Sequence, residues 1–147
     1  DLSVLRGDRM IFLEQVPGTH RLRTVSAVGD VFPLTSTANG KAVLALLPED
    51  RAKALALAEW AATGGDDTLW PVLYAELARV RETGLAVDQD EHTEGISAIG
   101  GAFRDLNGEL HAISVPVPTS RFDRARDTVE ANLRAALDRA QEIVGAL

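Results

Sequence analysis

Cysteine is absent from this 147-residue chain, which excludes disulfides, thiolate zinc sites and a cysteine nucleophile and allows a reducing compartment. Aromatic residues are scarce, at 5%. No apolar run approaches the roughly 18 residues that a membrane span requires, and no basic-then-apolar leader opens the sequence. Basic residues are outnumbered, with 15 Lys and Arg against 22 Asp and Glu, for a net charge of −7. So acidic a surface repels phosphate backbones, and nucleic-acid binding by this segment itself is not expected. Internal repeats and low-complexity linkers are also missing, so residues 1–147 are read as one domain. The chain starts at Asp1, directly in a strand-like pattern, and is expected to be a piece of a larger protein. What remains is ordinary: 46% hydrophobic and 25% charged residues, enough for one core at this size.

The hydrophobic pattern changes period along the chain. Leu2, Val4 and Leu5, then Gly7-Asp8, then Met10 to Leu13 predict a β-hairpin. Pro17-Gly18 marks a second turn, Leu22 to Val25 a further strand, and Pro33 closes this β-rich opening. Ser36 or Thr37 caps a helix through Lys41 to Leu47, in which Gly40 costs about 1 kcal/mol relative to alanine and so points to a close approach by backbone or ligand. Pro48-Glu49-Asp50 starts a second helix, with Leu55, Ala58 and Trp60 on its face. A third spans about 70–83, with Leu73, Leu77 and Val80 at helical spacing and Gly84 as its stop. Residues 85–87, 96–103 and 110–117 read as strands, the last two joined through Asn107-Gly108. A final amphipathic helix covers about 123–144, with Val129, Leu133, Leu137, Ala140 and Val144 as its stripe. Strands, helices, strands, helix is the order of an α+β domain with an antiparallel sheet.

Most chemical motifs fail on spacing. A P-loop requires glycine where Thr35 stands and a hydroxyl where Ala42 stands. Gly95 to Gly100 is one residue too long for a nucleophile elbow and lies within a strand. Arg6-Gly7-Asp8 resembles an adhesion motif but is explained by its turn. Asp88, Asp90 and His92 alternate, and in an extended chain they would face one way and could hold a cation. An EF-hand, however, requires glycine at Thr93 and glutamate at Ile99, so these residues read as a solvated loop with one buried anchor. His20 and His111 read as half-exposed strand residues, Trp60 and Trp70 as core. The segment Pro33 to Ala42 is the most telling. Hydroxyls and an asparagine crowd the start of an apolar helix, where free N–H groups and the helix dipole favour a carboxylate. Simple capping is the competing explanation.

Three blocks, Pro33-Leu34 with Thr37 to Ala45 and Leu46-Leu47-Pro48, Val80 to Asp88 through Glu91 and Gly95, and Asn107-Gly108 through Ile113 to Val115 with Pro118 and Ser120-Arg121, closely resemble the C-terminal effector-binding domain of IclR-type bacterial transcription regulators. The resemblance covers nearly the whole chain. It implies a GAF-like domain, a curved antiparallel sheet with helices packed around it. It also implies a cytoplasmic homodimer or tetramer that reaches DNA only through an N-terminal winged helix-turn-helix domain absent from this chain. Carried over by position, its effector pocket comprises Thr24, Phe32, Thr37, Ala38, Asn39, Asp88, Ile96, Ala98, Ser114 and Pro116. No cofactor, metal, membrane or catalytic residue is implied. Ala98 and Pro116 depart from the polar residues of some members, and Gly100-Gly101 replaces a more usual Ala-Ala, which favours a larger organic acid over a two- or three-carbon one. A carboxylate at the Thr37–Asn39 helix start leaves Asp88 to accept from a hydroxyl or ammonium at the ligand's other end. The rival is a stand-alone binding or dimerisation domain whose vestigial pocket is closed by Phe32, Ile96 and Pro116.

Overall fold

The computed structural model describes residues 1–16 and 27–146. The expected strand over 22–25, its Pro17-Gly18 turn and His20 lie outside the described residues. The chain runs β1 (Leu2–Arg6), β2 (Arg9–Glu14), β3 (Val31–Phe32), α1 (Ala38–Leu46), α2 (Glu49–Ala62), α3 (Trp70–Thr83), β4 (Ala86–Gln89), β5 (Ile96–Arg104), β6 (Leu110–Pro118) and α4 (Thr119–Ala146). The strands form one curled antiparallel sheet in the order β3-β2-β1-β6-β5-β4. The α+β expectation holds.

Period-two alternation gives each face of the sheet its own helices. Ala86, Ala112 and Leu110 point to the side occupied by α1, α2 and α3, where Met10, Leu34, Val43, Leu44, Trp60, Trp70, Leu73 and Leu77 close the larger core. Ile99 and its neighbours Val87, Ile113 and Val117 point the other way, onto Phe122, Val129, Leu133 and Leu137 of α4. Burying each Val, Leu, Ile, Phe or Met among them contributes about 1.5–3 kcal/mol. Gly84 adopts φ 79° and ends α3 as expected.

Four details depart from the sequence reading. The buried face of α2 is Ala52, Ala56 and Trp60, while Ala58 is exposed, because the helix rests on α3 by its 52–56–60 stripe. Helix α4 starts at Thr119, so Phe122 joins its apolar stripe ahead of Val129. The β5–β6 turn is organised by Asp105, whose Oδ1 accepts from the backbone N–H groups of Asn107 and Glu109; only Gly108 of the Asn-Gly pair has positive φ. Finally β4 extends through Gln89, which makes Asp88 a strand residue opposite Ala98.

Candidate functional site

A cavity of about 380 Å³ opens between the start of α1, the curled sheet and the β4–β5 loop. Sheet register explains why distant residues meet there. Asp88, Ala98 and Pro116 stand in one row across β4, β5 and β6, and Ser114 is two residues along from Pro116 on the same face. Ile96 is two residues from Ala98. Phe32 comes from the edge strand, and Thr37, Ala38 and Asn39 from the helix start. All nine of these expected positions line the one cavity. Thr24 lies outside the described residues. Four further lining residues, Asp1, Asp30, His92 and Thr93, were missed. Asp30 reads as turn punctuation and His92 as part of a solvated loop, and no spacing in the chain ties either to the helix start.

Helix α1 can approach because two glycines lack a Cβ. At Gly40 a Cβ would lie 2.4 Å from the Leu34 carbonyl oxygen, and at Gly100 one would lie 3.1 Å from the Ala38 carbonyl carbon. The close approach expected at Gly40 is therefore made by backbone rather than ligand. Thr37 is the N-cap: its Oγ1 accepts from Gly40 N–H at 3.0 Å and donates to the Pro33 carbonyl at 2.7 Å. Asn39 Nδ2 donates to Ser3 Oγ at 3.1 Å and its Oδ1 accepts from Gly40 N–H at 2.9 Å. The expectation that these side chains act as ligand donors needs adjustment, since both are engaged within the fold. The first intrahelical bond runs from Lys41 N–H to the Thr37 carbonyl, which leaves the Ala38 and Asn39 N–H groups without an acceptor inside the helix.

Two charges are buried beside this helix start. Lys41 is 0% exposed, and its Nζ donates to Glu76 Oε1 on α3 at 2.9 Å, to Glu91 Oε1 of the β4–β5 loop at 2.6 Å and to the Val87 carbonyl at 2.8 Å. Sequence reading placed it merely inside an apolar helix; an isolated lysine among Ala, Val and Leu was the available sign. Asp88 is 5% exposed, and its Oδ1 accepts from Glu91 N–H at 2.8 Å. Burial pushes its carboxyl above the ordinary range, against the opposing pull of that N–H and of the Lys41 charge. The Ser114 hydroxyl, also buried, makes no hydrogen bond among the described residues. At the rim Phe32 and His92 meet edge to face, their ring centres 5.6 Å apart.

The alternation of Asp88, Asp90 and His92 does not make a metal site, because Asp90 adopts φ 60° and breaks the extended run. Asp90 Oδ1 instead accepts from Gly95 N–H and Thr119 Oγ1. Among the described residues, Asp105, Glu109 and His111 are a different trio with ligand atoms within 4.8 Å of one another. They already serve the β5–β6 turn: Asp105 Oδ2 pairs with His111 Nε2 at 2.9 Å, and Glu109 pairs with Arg6 at 3.2 Å. The His111 hydrogen bond holds the Asp105 carboxyl below its usual value. Among the described residues no helix is long and apolar enough to cross a membrane.

Comparison with known proteins follows from this geometry. The model of the C-terminal domain of IclR bacterial transcriptional regulators matches residues 1–143. The HTH-type transcriptional regulator Rv1719 of Mycobacterium tuberculosis is 50% identical over 123 residues, covering 83% of this chain and 48% of that protein. The HTH-type regulator TtgV of Pseudomonas putida is 30% identical over 149 residues, covering 96% and 57%. This chain thus spans about half the length of such relatives. Among solved structures, an IclR transcriptional regulator from Silicibacter superposes with a TM-score of 0.85 at 28% identity, covering 98% of this chain and 58% of that one. The C-terminal domain of E. coli KdgR superposes with 0.73 at 28% identity, covering 98% and 84%. The family and these relatives are transcription regulators, not enzymes. With the family model matched across nearly its whole length, the chain belongs to the IclR family of bacterial transcription regulators and corresponds to their C-terminal domain.

Proposed function

We propose that residues 1–147 are a single effector-binding domain, which senses a small organic acid and thereby sets the DNA affinity of a cytoplasmic regulator. The observation that carries this is the 380 Å³ cavity bounded by a helix start and a buried carboxylate, a volume within the usual range for small-ligand sites. The ligand's acid takes the Ala38 and Asn39 N–H groups, helped by the positive end of α1. DNA is contacted only by an N-terminal winged helix-turn-helix domain beyond these residues, in a homodimer or tetramer. Occupancy favours one dimer geometry over another, and only differential affinity for the two does so. Lys41 supplies a route for that preference, because one ammonium joins the cavity-side loop (through Glu91) to α3 (through Glu76).

A vestigial, closed pocket is the rival. Phe32, Ile96 and Pro116 line the space without filling it, which favours the sensor. A thermal-shift screen of small acids separates the two. A true effector at 100 times its Kd adds about 2.7 kcal/mol of stability and shifts operator binding by the full-length regulator. A pocket that accepts nothing across the screen, with operator binding unchanged, overturns the sensing role.

A further inference from the structure

We propose that the cavity's ligand carries a protonated amine that pairs with Asp88, on a body of aromatic-ring size, so that it enters with no net negative charge. The inference rests on the sensor reading above and narrows its organic acids to one class, amino acids with a ring-sized side chain.

An ammonium has three N–H groups, and those of Lys41 are all spent, on Glu76, Glu91 and the Val87 carbonyl. Lys41 therefore has no donor left for Asp88. Asp88 accepts through Oδ1 from Glu91 N–H, and the His92 N–H also favours its charged form, which still leaves part of the about four acceptor sites of a carboxylate unused. Ser114 stands on the same sheet face with its hydroxyl free among the described residues. Every side-chain nitrogen or oxygen sealed away from a surface has a partner, so the open valences of Asp88 and Ser114 are turned to the cavity they line. The Asp88 carboxylate, only 5% exposed, is an anionic acceptor that a cationic donor satisfies, and the Ser114 hydroxyl beside it can accept from the same donor.

Beside the His92 ring, which favours the charged form of Asp88, the rim carries a further acid. Asp30 adds a second carboxylate, and no lysine or arginine side chain lines the cavity among the described residues. The Asp1 backbone nitrogen donates to the Ser114 carbonyl, and the Asp1 carboxylate accepts from Gln15. Among the described residues, a simple carboxylate ligand would meet Asp88 and Asp30 with only the backbone N–H groups, the Ser114 hydroxyl and the His92 ring to offset them. A zwitterion satisfies both ends: its acid goes to Ala38 and Asn39, its ammonium to Asp88. The apolar walls from Phe32, Ile96, Ala98 and Pro116 take the remainder. At about 30 Å³ per water, the space equals about a dozen waters, far more than a two- or three-carbon acid fills.

The test is isothermal titration of the chain with three ligands sharing one ring: phenylalanine, 3-phenylpropionate and phenethylamine. Phenylalanine is expected to bind at least about ten-fold more tightly than 3-phenylpropionate, and Asp88→Asn to abolish that preference. Ser114→Ala, which leaves the buried charge in place, should weaken both amines and spare 3-phenylpropionate, so the reading survives if Asp88→Asn fails to fold. Equal or tighter binding of 3-phenylpropionate, or no binding by any of the three, overturns the amine proposal. A small acid of another class that stabilises the chain would then leave the sensing role standing, whereas an empty screen would remove both.

Discussion

Lys41 and Asp88 are both buried charges beside the same helix start, yet they are finished differently. Lys41 has an acceptor for each of its protons and reaches three separate elements. Asp88 is bonded to loop N–H groups on one side only and faces open space on the other. The first region is closed, with Gly40 pressed on the Leu34 backbone; the second is hollow. A saturated buried charge organises a fold, whereas an unsaturated one is a cost that something else must offset. Burial alone does not separate the two; the count of unused hydrogen bonds does.

The contrast breaks hardest at Gly40. Gly40→Ala places a methyl 2.4 Å from the Leu34 oxygen, and backbone cannot swing aside, so a loss of at least about 3 kcal/mol is expected in urea unfolding. Lys41→Met strips the node of its cation and leaves the Val87 carbonyl unpaired. Glu76 and Glu91 are partly exposed and can hydrate, so the same measurement should show about 2–3 kcal/mol. If Lys41→Met is neutral, the closed region is not held by its charge.

Enlarging side chains sharpens the comparison. Ala98→Leu grows into the cavity and should cost under about 1 kcal/mol while abolishing ligand-induced stabilisation. Ala112→Leu, at a fully buried core position on the same sheet face, should cost about 1–3 kcal/mol by overpacking. Similar losses at both sites would mean that the space is not real.

The smallest effect is on pH. The folded-state value of Asp88 is raised by burial, so at low pH the group is neutral in both states and costs nothing. As pH rises from the ordinary carboxylate range through the raised value, the unfolded chain ionises freely and the fold does so only at a cost. Asp88 thus lowers stability above that window. Asp88→Asn should gain on the parent as pH climbs through it, read from urea midpoints at successive pH values; a parallel pair of curves would contradict the burial argument.

Much of this architecture was legible because local patterns and tertiary packing agree. The 70–83 helix shows why: Leu73, Leu77 and Val80 keep strict spacing and Gly84 stops it in the left-handed region. Thr37 was legible as a cap for the same reason. The cavity was legible only through resemblance, since the row Asp88–Ala98–Pro116 is a product of strand register, which no local pattern states. Lys41 escaped because its three partners lie 35 to 50 positions away. The alternation of Asp88, Asp90 and His92 does not continue in space, because a single positive φ at Asp90 ends it, in keeping with the loop reading.

Thr119 has a consequence of its own. It is the first residue of α4, its N–H donates to the Gly95 carbonyl, its Oγ1 donates to Asp90, and it touches Ser97 Oγ at 2.9 Å. The loop that carries His92 and Thr93 over the cavity is therefore riveted to the root of a 28-residue helix, roughly 42 Å long.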